Sequence, residues 1–167
     1  LTRDKVLYVS ADKPASVTEA LKTALFWGHG NYHFSSSLIN YLKRSSRLVD
    51  EEARESKEIF GIFIEILENP RSAEILNLMK LSNFLYRYIT PFNRIRHMIL
   101  YNPFHRYTVD EHTIEAIRAL EMLLSEELTG YEREKTGVLT DLAKKYSDGL
   151  WILKITLLFH DVGKAIS

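Results

Sequence analysis

The sequence has 167 residues, 46% hydrophobic and 26% charged, enough for one well-buried domain or two small helical layers sharing a core. Its 22 basic and 22 acidic residues cancel, which removes any bulk electrostatic case for nucleic acid or an anionic membrane, and no stretch approaches the roughly 20 apolar residues of a bilayer span. With no cysteine there is no disulfide and no thiolate site, so any metal must be held by His, Asp or Glu.

The absence of cysteine fits a reducing, cytoplasmic compartment, and the first residues, alternating charge and apolarity, do not form a signal peptide. The chain opens on Leu1 and stops three residues after Lys164, and the expectation is an excised piece of a longer protein.

In chain order, residues 4–10 suit a short extended arm, although an isolated strand would lack a partner. Ser16-Val17-Thr18-Glu19 is a capping-box pattern, in which a Ser oxygen and a Glu three residues on satisfy free amides at a helix start. The helix it opens carries Val17, Leu21, Ala24, Leu25 and Phe26 and is predicted to stop at Gly28. Residues 28–33 read as a loop whose two histidines, His29 and His33, are solvated. A second helix is predicted over 36–47 and a third over 50–68, with Asp50-Glu51-Glu52 at its positive end and Asn69-Pro70 halting it. Residues 71–82 form a fourth, 84–89 a connector, and Pro91 opens a helix through Leu100 that Asn102-Pro103 breaks. The Glu-rich stretch 51–58 reads as a solvated face, and no internal repeat is present.

Thr108-Val109-Asp110-Glu111 is a second capping box, so a long amphipathic helix is expected from about Val109, through Ile114, Ile117 and Leu120, to a stop before Gly130. His112 falls in its first turn, and His105 and Arg106 lie just upstream. Free amides and the dipole there favour an anionic group. A short helix is expected over 138–146, with Ser147 or Asp148 capping the last one.

That last helix, Leu150 to Phe159, is apolar enough to be buried nearly all round, and it runs into His160-Asp161-Val162-Gly163-Lys164. Successive helical side chains are about 100° apart, so His160 and Asp161 would form a divergent two-armed clamp able to reach a cation beside the helix. Lys164, four residues after one and three after the other, would lie on the same side and suit a phosphate oxygen. The bland alternative is a core histidine beside a capping aspartate.

His112, followed 48 residues later by His160-Asp161, resembles the HD superfamily of metal-dependent phosphohydrolases, whose pattern is an early His, a His-Asp pair and a final Asp. The final Asp has no match here, which would leave the metal site one ligand short. The resemblance narrows over Leu85-Tyr86-Arg87-Tyr88-Ile89-Thr90-Pro91-Phe92 and His105-Arg106-Tyr107-Thr108-Val109-Asp110-Glu111-His112-Thr113. These runs look like the bifunctional uridylyltransferase/uridylyl-removing enzymes of bacterial nitrogen regulation, although the acidic residue those enzymes carry after the Pro is missing.

The resemblance implies an all-α, HD-domain-like helical bundle, truncated at its C-terminal end. Residues 1–90 would be the segment that follows a nucleotidyltransferase, and 91–167 the front of the hydrolase. It implies hydrolysis of the phosphodiester between UMP and a tyrosine of the PII signalling protein, the substrate partner. His112, His160 and Asp161 would hold Mn²⁺, Mg²⁺ or Fe²⁺, and Lys164 would neutralise phosphoryl charge. His105 would donate a proton or support the ligands, and Arg106, Arg94 and Arg96 are further candidates for phosphate. The rival readings are an HD nucleotide or cyclic-nucleotide phosphohydrolase and an inert HD sensor module. With three ligands in place of four, weak metal binding is expected, and the truncated last helix is a candidate for self-association.

Overall fold

Several helices start at side-chain caps, at Ser16 where the sequence predicts one. The last helix is instead entered through Gly149 with no side-chain cap, because the expected caps Ser147 and Asp148 are taken up in a 3₁₀ turn before it. In the computed structural model, which describes residues 5–10, 16–30, 32–99, 107–125 and 130–165 (of 130–134 the backbone only), Ser16 lies in extended backbone. Its hydroxyl accepts from the Glu19 N–H at 3.0 Å and opens α1 (Val17–His29). Ser35 caps α2 (Ser36–Ser45) in the same way through the Leu38 N–H, at 3.1 Å. Gly28 does not end α1 but sits within it: a Cβ there would collide with Ile75 of α5 (Ser72–Leu81), so the missing side chain lets the two helices approach.

The helix expected over 50–68 is two helices, α3 (Glu51–Glu55) and α4 (Lys57–Glu68). Ser56 breaks it by turning extended, with ψ 120°, and its hydroxyl caps α4 by accepting from the Ile59 N–H. The expected connector 84–89 is instead a short helix, α6 (Phe84–Tyr88), entered through Asn83 at φ 62°, a left-handed conformation that Asn tolerates. Pro91 opens only a 3₁₀ stretch, Thr90–Ile95, because the chain turns at His97, φ 53°. After it come α7 (Val109–Leu124), α8 (Gly130–Lys145), longer than the helix expected over 138–146, and α9 (Leu150–Phe159).

The N-terminal arm does find a partner. Strand β1 (Lys5–Val6) pairs in parallel with β2 (Tyr32–His33), inside the segment read as a loop. This ribbon is minute, and the architecture is the all-α bundle expected. No helix among the described residues is long and apolar enough to cross a membrane.

One continuous hydrophobic cluster runs from Val17 on α1 to Leu158 on α9 and Val162 beyond it. Helix α5 packs on α1 and α7, and α9 packs on α4 and α7. The expectation that α9 is buried nearly all round is corrected: Ile152 is 54% exposed and Phe159 41%, because α9 turns only one side to α4 and α7. The anchored side ends in Leu158, which has no exposed surface. Full burial of such a side chain is worth about 1.5–3 kcal/mol, which fixes the helix end that carries His160.

Candidate metal centre

The centre forms where the start of α7 meets the end of α9. On α7 the capping box is in place, with the Thr108 N–H donating to the Glu111 carboxylate at 3.3 Å. The His112 N–H donates to the Thr108 carbonyl at 2.8 Å, closing the first turn. Val109, whose N–H reaches across to the Met98 carbonyl at 2.9 Å, is buried together with Thr113 and Ile114. With those three turned inward, His112 is left at the exposed edge of the turn.

At the other side the helix stops sooner than expected. His160 and Asp161 occupy the turn between α9 and a 3₁₀ stretch, Val162–Ala165, rather than the body of one helix. The His160 N–H still donates to the Thr156 carbonyl at 2.9 Å, but the Lys164 N–H donates three residues back, to the Asp161 carbonyl at 3.0 Å. The tighter spacing ends the α-helix there. The clamp that a continuous helix would splay therefore converges, and His160 Nε2 lies 3.4 Å from Asp161 Oδ1.

Hydrogen bonding fixes what each group offers. His160 Nδ1 lies 2.6 Å from the Leu157 carbonyl, and since a carbonyl only accepts, Nδ1 carries the hydrogen. In the neutral ring Nε2 then presents its lone pair, the arrangement in which metal-binding imidazoles are usually held. Asp161 is 4% exposed. Its Oδ1 takes an ion pair from Lys164 Nζ at 2.7 Å, and its Oδ2 is buried with no hydrogen-bond partner. A buried carboxylate oxygen without a donor is costly unless a cation faces the group.

One ligand atom each from His112, His160 and Asp161 lie within 4.8 Å of one another, and the two imidazole rings are 5.9 Å apart. Two imidazole nitrogens and a carboxylate oxygen are a donor set that suits Mn²⁺ or Fe²⁺ and tolerates Mg²⁺. The orphaned Asp161 oxygen and the oriented His160 make these residues fit a divalent cation. The structure thus brings together His112, His160, Asp161 and Lys164, while His105 and Arg106 lie outside the described residues. Arg96 is committed elsewhere, donating to Asn83 Oδ1 at 2.8 Å and stacking over Tyr86. His29 lies in the last turn of α1 rather than in a loop, and it is exposed as expected, with its ring 3.2 Å from the Asn69 amide.

Two buried polar groups that position the centre went unread in the sequence. Lys154 is 2% exposed, and its ammonium donates to Glu121 Oε1 at 3.0 Å and to the Asn69 carbonyl at 3.1 Å. The same Glu121 oxygen accepts from Ser72 Oγ at 2.6 Å and from the Ala73 N–H at 3.1 Å. This knot ties α9 to α7 and to the start of α5, and so fixes how the two halves of the centre meet. Burial holds the Lys154 ammonium below the usual lysine range, with Glu121 pulling it partly back. Two signals were available: a single Lys inside an apolar run, and Glu121 four residues after Ile117 on the buried stripe of α7.

The second group is Asp110, fully buried, which accepts from the Tyr86 hydroxyl. Burial pushes its carboxyl up, but the hydrogen bonds to it, Tyr86's among them, and the Lys80 ammonium outweigh that and hold it below the usual carboxylate range. The bond binds α6 to the first turn of α7, two residues from His112.

In sequence the chain is similar to curated bifunctional uridylyltransferase/uridylyl-removing enzymes. It is 31% identical over 135 residues to that of Bradyrhizobium sp. (strain ORS 278), a match covering 80% of this chain and 14% of the relative. To that of Nitrobacter hamburgensis (strain DSM 10229 / NCIMB 13809 / X14) it is 28% identical over 135 residues, with the same coverage. No family model and no solved structure matches. The chain spans about a seventh, 14%, of the length of these relatives, and it is to that region of the bifunctional enzymes that it is similar.

Proposed function

We propose that this chain is the core of a metal-dependent phosphodiesterase of the HD type, the uridylyl-removing part of a bifunctional enzyme, acting on the UMP-tyrosine linkage of a PII signalling protein. The observation that carries the reading is the convergence of His112, His160 and Asp161 on one point, the Asp161 carboxylate having one oxygen buried without a hydrogen-bond partner. The similarity to enzymes named for uridylyl removal supports the substrate class.

In this reading His112, His160 and Asp161 hold the divalent cation. A bound cation there supplies Lewis acidity toward a phosphoryl oxygen and acidifies water at the site. The Leu157 carbonyl keeps the His160 ring oriented, and the buried Lys154–Glu121 knot keeps α9 in register with α7. The amides of the first turn of α7 and the Lys164 ammonium offer positive charge to an anionic phosphodiester, the electrostatic contribution on which phosphoryl transfer depends. His105 is the candidate proton donor to the leaving tyrosine oxygen.

The test is release of UMP from uridylylated PII by a full-length enzyme containing this region, with and without Mn²⁺, alongside His160→Ala. Metal-dependent release that falls at least about a hundredfold in the variant is the expected result. Activity on free nucleotides but not on uridylylated PII would overturn the substrate and keep the chemistry. Inactivity on both would favour a sensor module.

A further inference from the structure

The metal centre already contains a cation. Asp161 Oδ1 is the carboxylate oxygen nearest His160 Nε2, at 3.4 Å, and it is also the oxygen paired with Lys164 Nζ at 2.7 Å. With Nδ1 donating to the Leu157 carbonyl, Nε2 is the nitrogen turned toward the carboxylate, and in the neutral ring, the form that binds a metal, this sets two electron-rich groups side by side. Such a juxtaposition is held by positive charge, and the ammonium of Lys164 is the charge in contact with it.

We propose that Lys164 is the resident counter-ion of the metal-free centre, and that a divalent cation and the Lys164 ammonium compete for Asp161 Oδ1. The proposal rests on the metal-binding reading above and adds to it a built-in competitor. Oδ1 is the Asp161 oxygen beside His160 Nε2, so a cation shared with that imidazole meets Oδ1, while Oδ2, buried without a donor, leaves the carboxylate's charge to be met there. An ammonium and a divalent ion on one oxygen repel each other, and the ammonium is the one able to leave.

Lys164 is 42% exposed and carried on a flexible four-carbon stem, so it can swing outward while its backbone stays pinned by the N–H bond to the Asp161 carbonyl. Displaced, it stays at the mouth of the centre, where an anionic ligand would meet it. Cation binding and presentation of Lys164 to an anion thereby become one event. Lysine, rather than arginine, suits this role: a point charge pairs with a single oxygen and is exchanged, whereas a guanidinium fork would clamp both.

The experiment titrates Mn²⁺ into this chain by calorimetry, or by electron paramagnetic resonance of the free ion, for the wild type and for Lys164→Met, Lys164→Gln and His160→Ala. Lys164 is half-exposed, and the two substitutions differ in polarity, so folding of at least one is checked by circular dichroism. The expected result is roughly tenfold tighter Mn²⁺ binding in both lysine variants, as befits a partly solvated ion pair and a removed like charge, and its loss in His160→Ala. Affinity equal to or weaker than wild type in both lysine variants, with binding still dependent on His160, overturns the competition and leaves the metal site standing. Absence of His160-dependent binding in every protein overturns both.

Discussion

Two lysines ten residues apart, Lys154 and Lys164, each pair with a carboxylate, and the two pairs are built for opposite purposes. Lys154 and Glu121 are both deep, with side chains 3% and 12% exposed, and the Glu121 oxygen is surrounded by three donors. Lys164 and Asp161 pair at a rim, where the lysine is half in solvent, one Asp161 oxygen has no donor and two imidazoles stand alongside. A saturated pair has nothing left to bind and serves to hold helices together. An unsaturated pair beside nitrogen ligands has capacity left over, and that capacity marks the candidate site.

The largest effect that separates them is on stability. Lys154→Met should lower the unfolding free energy by about 3–5 kcal/mol, because it leaves Glu121 charged in the interior with one donor fewer. Adding Glu121→Gln should recover part of that loss, which denaturant titration of the single and double variants would measure. Asp161→Asn should move stability by under about 1 kcal/mol while Mn²⁺ affinity drops about a hundredfold. Were Asp161→Asn to unfold the chain, or Lys154→Met to leave its stability unchanged, the division between the two pairs would collapse. Ser72→Ala, which removes one of the donors to Glu121, should cost about 1 kcal/mol and leave metal binding unchanged.

Much of the scaffold was legible because its determinants are local. The capping residues Ser16 and Thr108 lie within three residues of the amides they organise, so helix starts could be read directly. The break at Ser56 was hidden, since a serine between Glu55 and Lys57 reads equally well as a solvated helical face. The short helix at Phe84–Tyr88 depends on a left-handed Asn83, which no periodicity announces. The depth of Lys154 was signalled only by its place in an apolar run, and its partner was harder to read: Glu121 lies 33 residues away and only the packing of α9 on α7 brings them together. His160 and Asp161 stand out as a polar pair ending an apolar run, the resemblance joins His112 to them, and the structure adds the tightened turn after Phe159 that makes the last two converge.

The subtlest distinction between the pairs is in proton linkage. Burial holds Lys154 below the ordinary lysine value, with Glu121 only partly offsetting it. Between that lowered value and the ordinary one, about 10.4, the unfolded chain binds more protons than the folded chain. Unfolding free energy contributed by this residue should therefore rise with pH across that window and level off above it. Tyrosines and other lysines also titrate there, so the informative quantity is the difference between wild type and Lys154→Met, measured by denaturant unfolding at several pH values. A difference that grows with pH means that desolvation dominates and the pair is a buried structural tie. A difference that shrinks means that Glu121 over-stabilises the ammonium, as in a solvated ion pair, and the contrast with Lys164 would then rest on metal binding alone.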